Sequence, residues 1–177
     1  MIDHGFGVKL GPLESKYLAT IQAWRNDPRV WKWCRQMKPI ADVEQEAWFE
    51  RQANDPTIQM YAVLANERIS GVCGFTSIDL INRRAEFSLY IDPSMFGRGL
   101  GTKALKTLLS HGFKQWGFHS IWGEVFAENP AMSLFQSLGF KTQGIRKDFY
   151  FRDGKFIDAT LISILSDEFF SKYMGVG

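Results

Sequence analysis

The segment from Arg84 to Phe126 constrains the fold most. Within it Ala85, Phe87, Leu89 and Ile91 alternate with Arg84, Glu86, Ser88 and Tyr90, the period-2 pattern of a strand with one face in a core and the other able to line a cleft. Asp92-Pro93 ends the strand, and the glycine-rich run Phe96-Gly97-Arg98-Gly99-Leu100-Gly101-Thr102 follows. Ala104, Leu105, Leu108, Leu109 and Phe113 then mark one face of a helix over 101–116, and Ser120–Phe126 reads as a buried strand. Strand, helix and strand in this order predict a crossover unit with two parallel strands.

The flanking segments read differently. A short strand over 7–10 precedes a helix over 15–26 that Asp27-Pro28 breaks. A second helix is expected from Asp42, with its carboxylate as cap and Gln45 reaching back, to about Ala53. Strands over 58–65 and 69–80 lead into Arg84–Ile91 as a meander. Beyond the crossover, a short helix over 130–138 closes at Gly139, and two strands meet at an Asp153-Gly154 turn. The order predicts an α+β (mixed α/β) fold in one domain over 1–177, without repeats or dividing linkers.

Composition narrows the function classes. With 21 Lys and Arg against 19 acidic residues, the net charge of +2 supplies no broad basic field for nucleic acid. The N-terminal MIDHGFGVKL has no cationic stretch leading into an apolar run, and no window approaches the ~18 apolar residues of a membrane span. A soluble, cytoplasmic protein is expected. Cys34 and Cys73, 39 positions apart, fit reduced thiols, and no His/Cys spacing suggests a metal site. His4, His111 and His119 are scattered, and no nucleophile–histidine arrangement can be argued.

A glycine-rich loop opening a helix suits an anion. Successive N–H groups at the positive end of the helix dipole can hold a pyrophosphate, and glycine lets the backbone come close. Gly97, Arg98, Gly99, Leu100, Gly101 and Thr102 are the candidate phosphate cradle, Arg98 adding a charged contact; a tight turn with no ligand is the plainer alternative. Walker A spacing fails, because Gly101 is followed by Thr102-Lys103, and a Rossmann fingerprint would need glycine where Thr102 stands.

The run FGRGLGTKAL resembles the acetyl-CoA motif of the GNAT superfamily of N-acetyltransferases, with Phe96 where the family prefers Gln or Arg. GEVFAENPAMSLFQSLGF resembles the family's second signature, and GIRKDFYFRDGKFIDATLISIL is similar to the closing hairpin of the ribosomal-protein N-acetyltransferase branch. The resemblance covers 60–165. It implies a mostly antiparallel sheet whose central parallel pair splays apart, flanked by helices. Acceptor-side helices would lie over about 14–53, an acetyl-CoA core over 58–140 and the closing hairpin over 141–166. The pantetheine arm of acetyl-CoA would lie in the splay as a pseudo-strand, bonded to main chain at Leu89, Tyr90 and Ile91, with Asn129 opposite and no metal required.

Direct attack of an amine on the thioester needs a group that takes its proton and donors that stabilise the oxyanion. Glu124 matches a position that serves as general base in some relatives; a strand carboxylate held in a salt bridge is the alternative. Where relatives place a tyrosine to protonate the thiolate, this chain has Phe135. Water or another hydroxyl such as that of Tyr90 substitutes for that tyrosine, or the low pKa of the thiol makes an acid unnecessary. Glu86, on the cleft face, is a candidate seat for the acceptor ammonium.

The run WRNDPRVWKW packs three tryptophans and three basic residues into ten positions. Arg25 and Trp33 suit a nucleotide, by charge and by stacking, or else the tryptophans belong to the core. The same run, with HSIWGEV and KFIDATLISIL, is similar to the acetyltransferases of the flagellin-sugar (pseudaminic acid) pathway, which implies a UDP-linked 4-amino sugar as acceptor. Spermidine acetyltransferases share ENP and the closing hairpin, so a polyamine is the alternative small-molecule amine; a protein N-terminus and a non-catalytic acetyl-CoA-binding module are the others. Phe169, Phe170, Tyr173 and Met174 either pack onto the domain or form a contact in a homodimer.

Overall fold

The computed structural model describes residues 1–175. Its chain order is β1 (Lys9–Pro12), α1 (Leu18–Asn26), α2 (Pro28–Trp31), α3 (Asp42–Asn54), β2 (Gln59–Ala65), β3 (Arg68–Asp79), β4 (Arg84–Ile91), α4 (Leu100–Lys114), β5 (Ser120–Phe126), α5 (Met132–Leu138), β6 (Lys141–Arg152), β7 (Lys155–Leu165) and α6 (Ser166–Tyr173). The seven strands form one sheet in the order β1-β2-β3-β4-β5-β7-β6. β4 and β5 are parallel, joined by α4, and all other neighbours are antiparallel.

Helices cover both faces of the sheet, which explains why β2 reads as the unbroken apolar run MYAVLA. Tyr61 and Val63 turn one way, onto Leu105, Leu108 and Leu109 of α4, while Met60 and Ala62 turn the other way, toward Ile21 of α1 and Val30 of α2. Leu105, Leu108 and Leu109 are fully buried, and each such side chain contributes roughly 1.5–3 kcal/mol. α6 returns to this layer, with Phe169 completely buried 5.5 Å from the Phe113 ring centre, so the C-terminal aromatics up to Tyr173 pack onto their own chain. Among the described residues no helix is long and apolar enough to cross a membrane.

Local chemistry sets several boundaries. Asp27 ends α1 and also caps α2, its Oδ1 accepting the Arg29 N–H at 2.8 Å with Pro28 in the first turn. α3 begins at Asp42, but the reach-back comes from Glu44, whose Oε2 accepts the Ala41 N–H at 3.0 Å. Gln45 is buried instead, so the capping expected of Asp42 and Gln45 moves one residue toward the N-terminus.

Candidate active site

The parallel pair is short. β4 and β5 register only over Arg84–Ser120, Ala85–Ile121 and Glu86–Trp122, after which the two strands part. From Phe87 to Ile91 the β5-facing edge of β4 has no strand partner, although its other edge stays paired with β3. The wedge at the fork is Phe87. Its ring lies over Gly123, where an added β-carbon would stand 2.9 Å from Cζ, and packs 5.1 Å from the ring centres of both Phe135 and Phe140.

Along the fork runs a cavity of about 470 Å³, lined by Leu89, Tyr90, Ile91, Leu134 and Phe135 and by the glycine loop through Phe96, Gly97, Gly99, Leu100 and Gly101. Gly97 and Gly99 have φ of +78° and +72°, the left-handed region that favours glycine. Lys103 is the first residue of α4 to bond back, its N–H donating to the Gly99 carbonyl at 3.1 Å. The N–H groups of Leu100, Gly101 and Thr102 therefore precede the helical ladder and point out of its end. Arg98 is exposed, and neither its side chain nor that of Thr102 lines the cavity, so the charged contact expected of Arg98 is absent from this wall. Asn129 also lines the cavity, its Oδ1 accepting the Ala131 N–H at 3.0 Å, which leaves its Nδ2 donors and the second Oδ1 lone pair for a ligand.

A second hollow, about 260 Å³, adjoins the first and shares Trp33, Cys34, Leu89, Tyr90, Asn129 and Phe135 with it. Arg25, Arg35, Glu86 and Glu124 complete its polar lining with Thr76 and Ser88. The Glu86 and Glu124 side chains are only 8% and 2% exposed. Glu86 accepts from Thr76 Oγ1 at 3.3 Å and from both terminal nitrogens of Arg35. Glu124 Oε2 accepts from Arg146 at 2.8 Å, while Oε1 accepts the Tyr150 hydroxyl and lies 3.6 Å from Arg35. One guanidinium thus bridges two buried carboxylates.

The structure corrects the expectation for Tyr90. The alternation in β4 turns Glu86, Ser88 and Tyr90 to one side, but α1 and α2 cover the far end of that side, and Tyr90 joins the cluster of Ile21, Val30 and Met60. Its hydroxyl is buried without a partner among the described residues, and burial pushes its pKa up to about 12. The Arg25 guanidinium lies over its ring at 5.4 Å. The Tyr90 ring thus borders both hollows while its hydroxyl is covered. Phe135 lies in the wall between the two hollows, where it contributes shape and no proton. The histidines stay outside both hollows.

Residues 8–141 match the family model described as Acetyltransferase (GNAT) domain. The chain belongs to this family. It is 30% identical to the uncharacterized N-acetyltransferase p20 of Bacillus licheniformis over 84% of this chain and 86% of that one. With the spermidine N(1)-acetyltransferase of Escherichia coli K12 it shares 26% identity over 96% and 92% of the two chains. The crystal structure of the Vibrio cholerae spermidine N-acetyltransferase in complex with CoA and spermine superposes with a TM-score of 0.87 at 24% identity, over 92% of this chain and 98% of that one.

As a GNAT protein the chain is an acetyl-CoA-dependent N-acetyltransferase. The cleft offers that co-substrate an open strand edge along β4 and a glycine-rich loop at the start of α4. Arg35, Arg146 and Tyr150 had not been singled out from sequence. Arg146 and Tyr150 lie in the exposed strand β6 and both reach Glu124, across an irregularity in the β6–β7 register between them that alternation in the sequence does not signal. Arg35 lies between α2 and α3, where no periodicity places a side chain.

Proposed function

We propose that the protein acetylates a primary amine of a polyamine such as spermidine, with Glu124 as general base and Glu86 as partner of the acceptor's ammonium. The observation that carries this reading is the pair of buried carboxylates at the mouth of the fork, both already in contact with a cation. The relatives that act on spermidine support it. Acetyl-CoA, bound along β4 with its pyrophosphate on the 97–102 loop, supplies an activated acyl carbon. Glu124 takes a proton from the ammonium, directly or through water; the amine nitrogen adds to the carbonyl carbon, the carbon–sulfur bond breaks, and the second proton that the nitrogen gives up passes to the departing thiolate. The open main chain at Leu89–Ile91 holds the pantetheine arm, and Phe87 with Phe135 keeps water from the acyl end. The CoA thiolate leaves without a side-chain acid, since a thiol's pKa of about 8.5 makes it a tolerable leaving group.

A second reading keeps the chemistry and changes the acceptor to a UDP-linked 4-amino sugar. Arg25 and Trp33 line the acceptor hollow, and Arg25 Nε is buried with no partner among the described residues, a donor suited to a phosphate. Free-thiol release from acetyl-CoA decides between them with spermidine, a UDP-4-amino-4,6-dideoxy sugar and a ribosomal-protein N-terminal peptide as parallel acceptors. Turnover of spermidine is the expected result; turnover of the sugar alone would move the acceptor to the second reading.

A further inference from the structure

Glu86 and Glu124 are held from two sides of different character. Thr76 lies on β3, and Arg146 and Tyr150 lie on β6, so these partners belong to the sheet. Arg35 instead comes from the connection between Trp31 and Asp42, which has no regular secondary structure. Its side chain is 49% exposed, and the carboxylates that it reaches are almost completely covered. The flanks of the connection are fastened: Asn26 Oδ1 accepts the Ile40 N–H at 2.8 Å, and Trp31 Nε1 donates to the Gln36 carbonyl at 3.0 Å. From this anchored loop one cation reaches over the acceptor hollow and contacts both carboxylates.

We infer that Arg35 is a tethered competitor of the acceptor. Its guanidinium occupies the seat between Glu86 and Glu124 that the acceptor's ammonium takes, and the acceptor binds after Arg35 has swung out to solvent. The inference rests on the reading of these two carboxylates as the ammonium seat. An ammonium entering between Glu86 and Glu124 meets the Arg35 guanidinium in the same space, and a half-exposed guanidinium is readily released because water can solvate it. The competition raises the acceptor's apparent KM by the inverse of the fraction of time the seat is uncovered and sets a threshold of amine concentration below which acetyl-CoA is spared. Acceptors with a single weakly held ammonium are selected against, which makes Arg35 a specificity-determining residue.

The test uses Arg35→Ala, with Arg35→Gln as a second variant. Methylguanidinium, the detached head group of arginine, is titrated against thermal stability at constant ionic strength. It raises the Tm of both variants at concentrations about tenfold below those that shift the wild type if Arg35 fills the seat nine-tenths of the time; no shift in the variants overturns the inference. In acetyl-transfer kinetics with spermidine, the acceptor KM falls by about tenfold for a seat covered nine-tenths of the time. The KM for acetyl-CoA stays constant, and methylguanidinium becomes competitive with the acceptor. A rise in acceptor KM on removing Arg35 would make it a binding residue and contradict the inference. Absence of spermidine turnover in every protein would sink the polyamine reading, while the methylguanidinium titration still decides the role of Arg35.

Discussion

The ring of Phe87 stands over Gly123, closer than any β-carbon on that residue would allow. Parallel pairing between β4 and β5 ends at Glu86–Trp122, the rung just before this contact. The fork that opens the cleft is thus built from one aromatic ring and one missing side chain. Gly123→Ala forces the ring aside, and overpacking of this kind costs about 1–3 kcal/mol. Chemical denaturation will show a lower midpoint, and the KM for acetyl-CoA will rise because the shifted ring presses on the wall shared with Phe135.

Gly99 governs the phosphate end. An added β-carbon there meets nothing within 4 Å, so space is no obstacle and the φ of +72° is the whole cost. Gly99→Ala is expected to lose about 1–2 kcal/mol through left-handed strain, or about 2–8 °C in Tm for a chain of this size. Calorimetry with acetyl-CoA should show weaker binding than wild type at a temperature where the variant is folded, since relief of the strain turns the 97–102 loop away from the cavity.

His111 gives the stability a pH dependence. Its ring is partly buried beside the Tyr61 hydroxyl, 3.2 Å from Nε2, and burial, reinforced by the charge of His4, lowers its pKa. The folded state therefore binds the proton less readily than the unfolded state. This contribution is fully present above the unfolded value of about 6.5 and is lost as pH falls from there through the lower folded value. Thermal unfolding between neutral and mildly acidic pH should show a Tm that declines on acidification, with a shallower decline in His111→Gln, which keeps a polar neighbour for Tyr61 and cannot charge.

How much of this could be read in advance varied with the range of the interactions involved. The bounds of β4 and β5 follow from alternation and from Asp92-Pro93, and the αL glycines of the 97–101 loop from composition; both are local. The two-sided cover of β4 is not local. Alternation correctly turned Glu86 and Tyr90 to one side, but the docking of α1 and α2 makes one end of that side a cleft and the other a core, and Tyr90 falls in the core. The polar contacts at the site span large separations, from Arg35 to Glu86 and from Glu124 to Arg146 and Tyr150. No pattern within a single element encodes such pairs. Of the two readings that the sequence leaves open for Glu124, the structure shows the salt-bridged carboxylate, held by Arg146 across the sheet.

The most direct test of the account compares wild type with Glu124→Gln for acetylation of spermidine, read by product mass and by thiol release, with acetyl-CoA affinity measured separately by calorimetry. Wild type should yield acetylated spermidine, and the variant should bind acetyl-CoA as tightly while its kcat falls by about 10²–10⁴-fold, the range for loss of a positioned general base. Equal turnover by the two proteins would contradict the role of Glu124, and no acetyl transfer by the wild type to any amine would contradict the account of this cleft as the site of transfer.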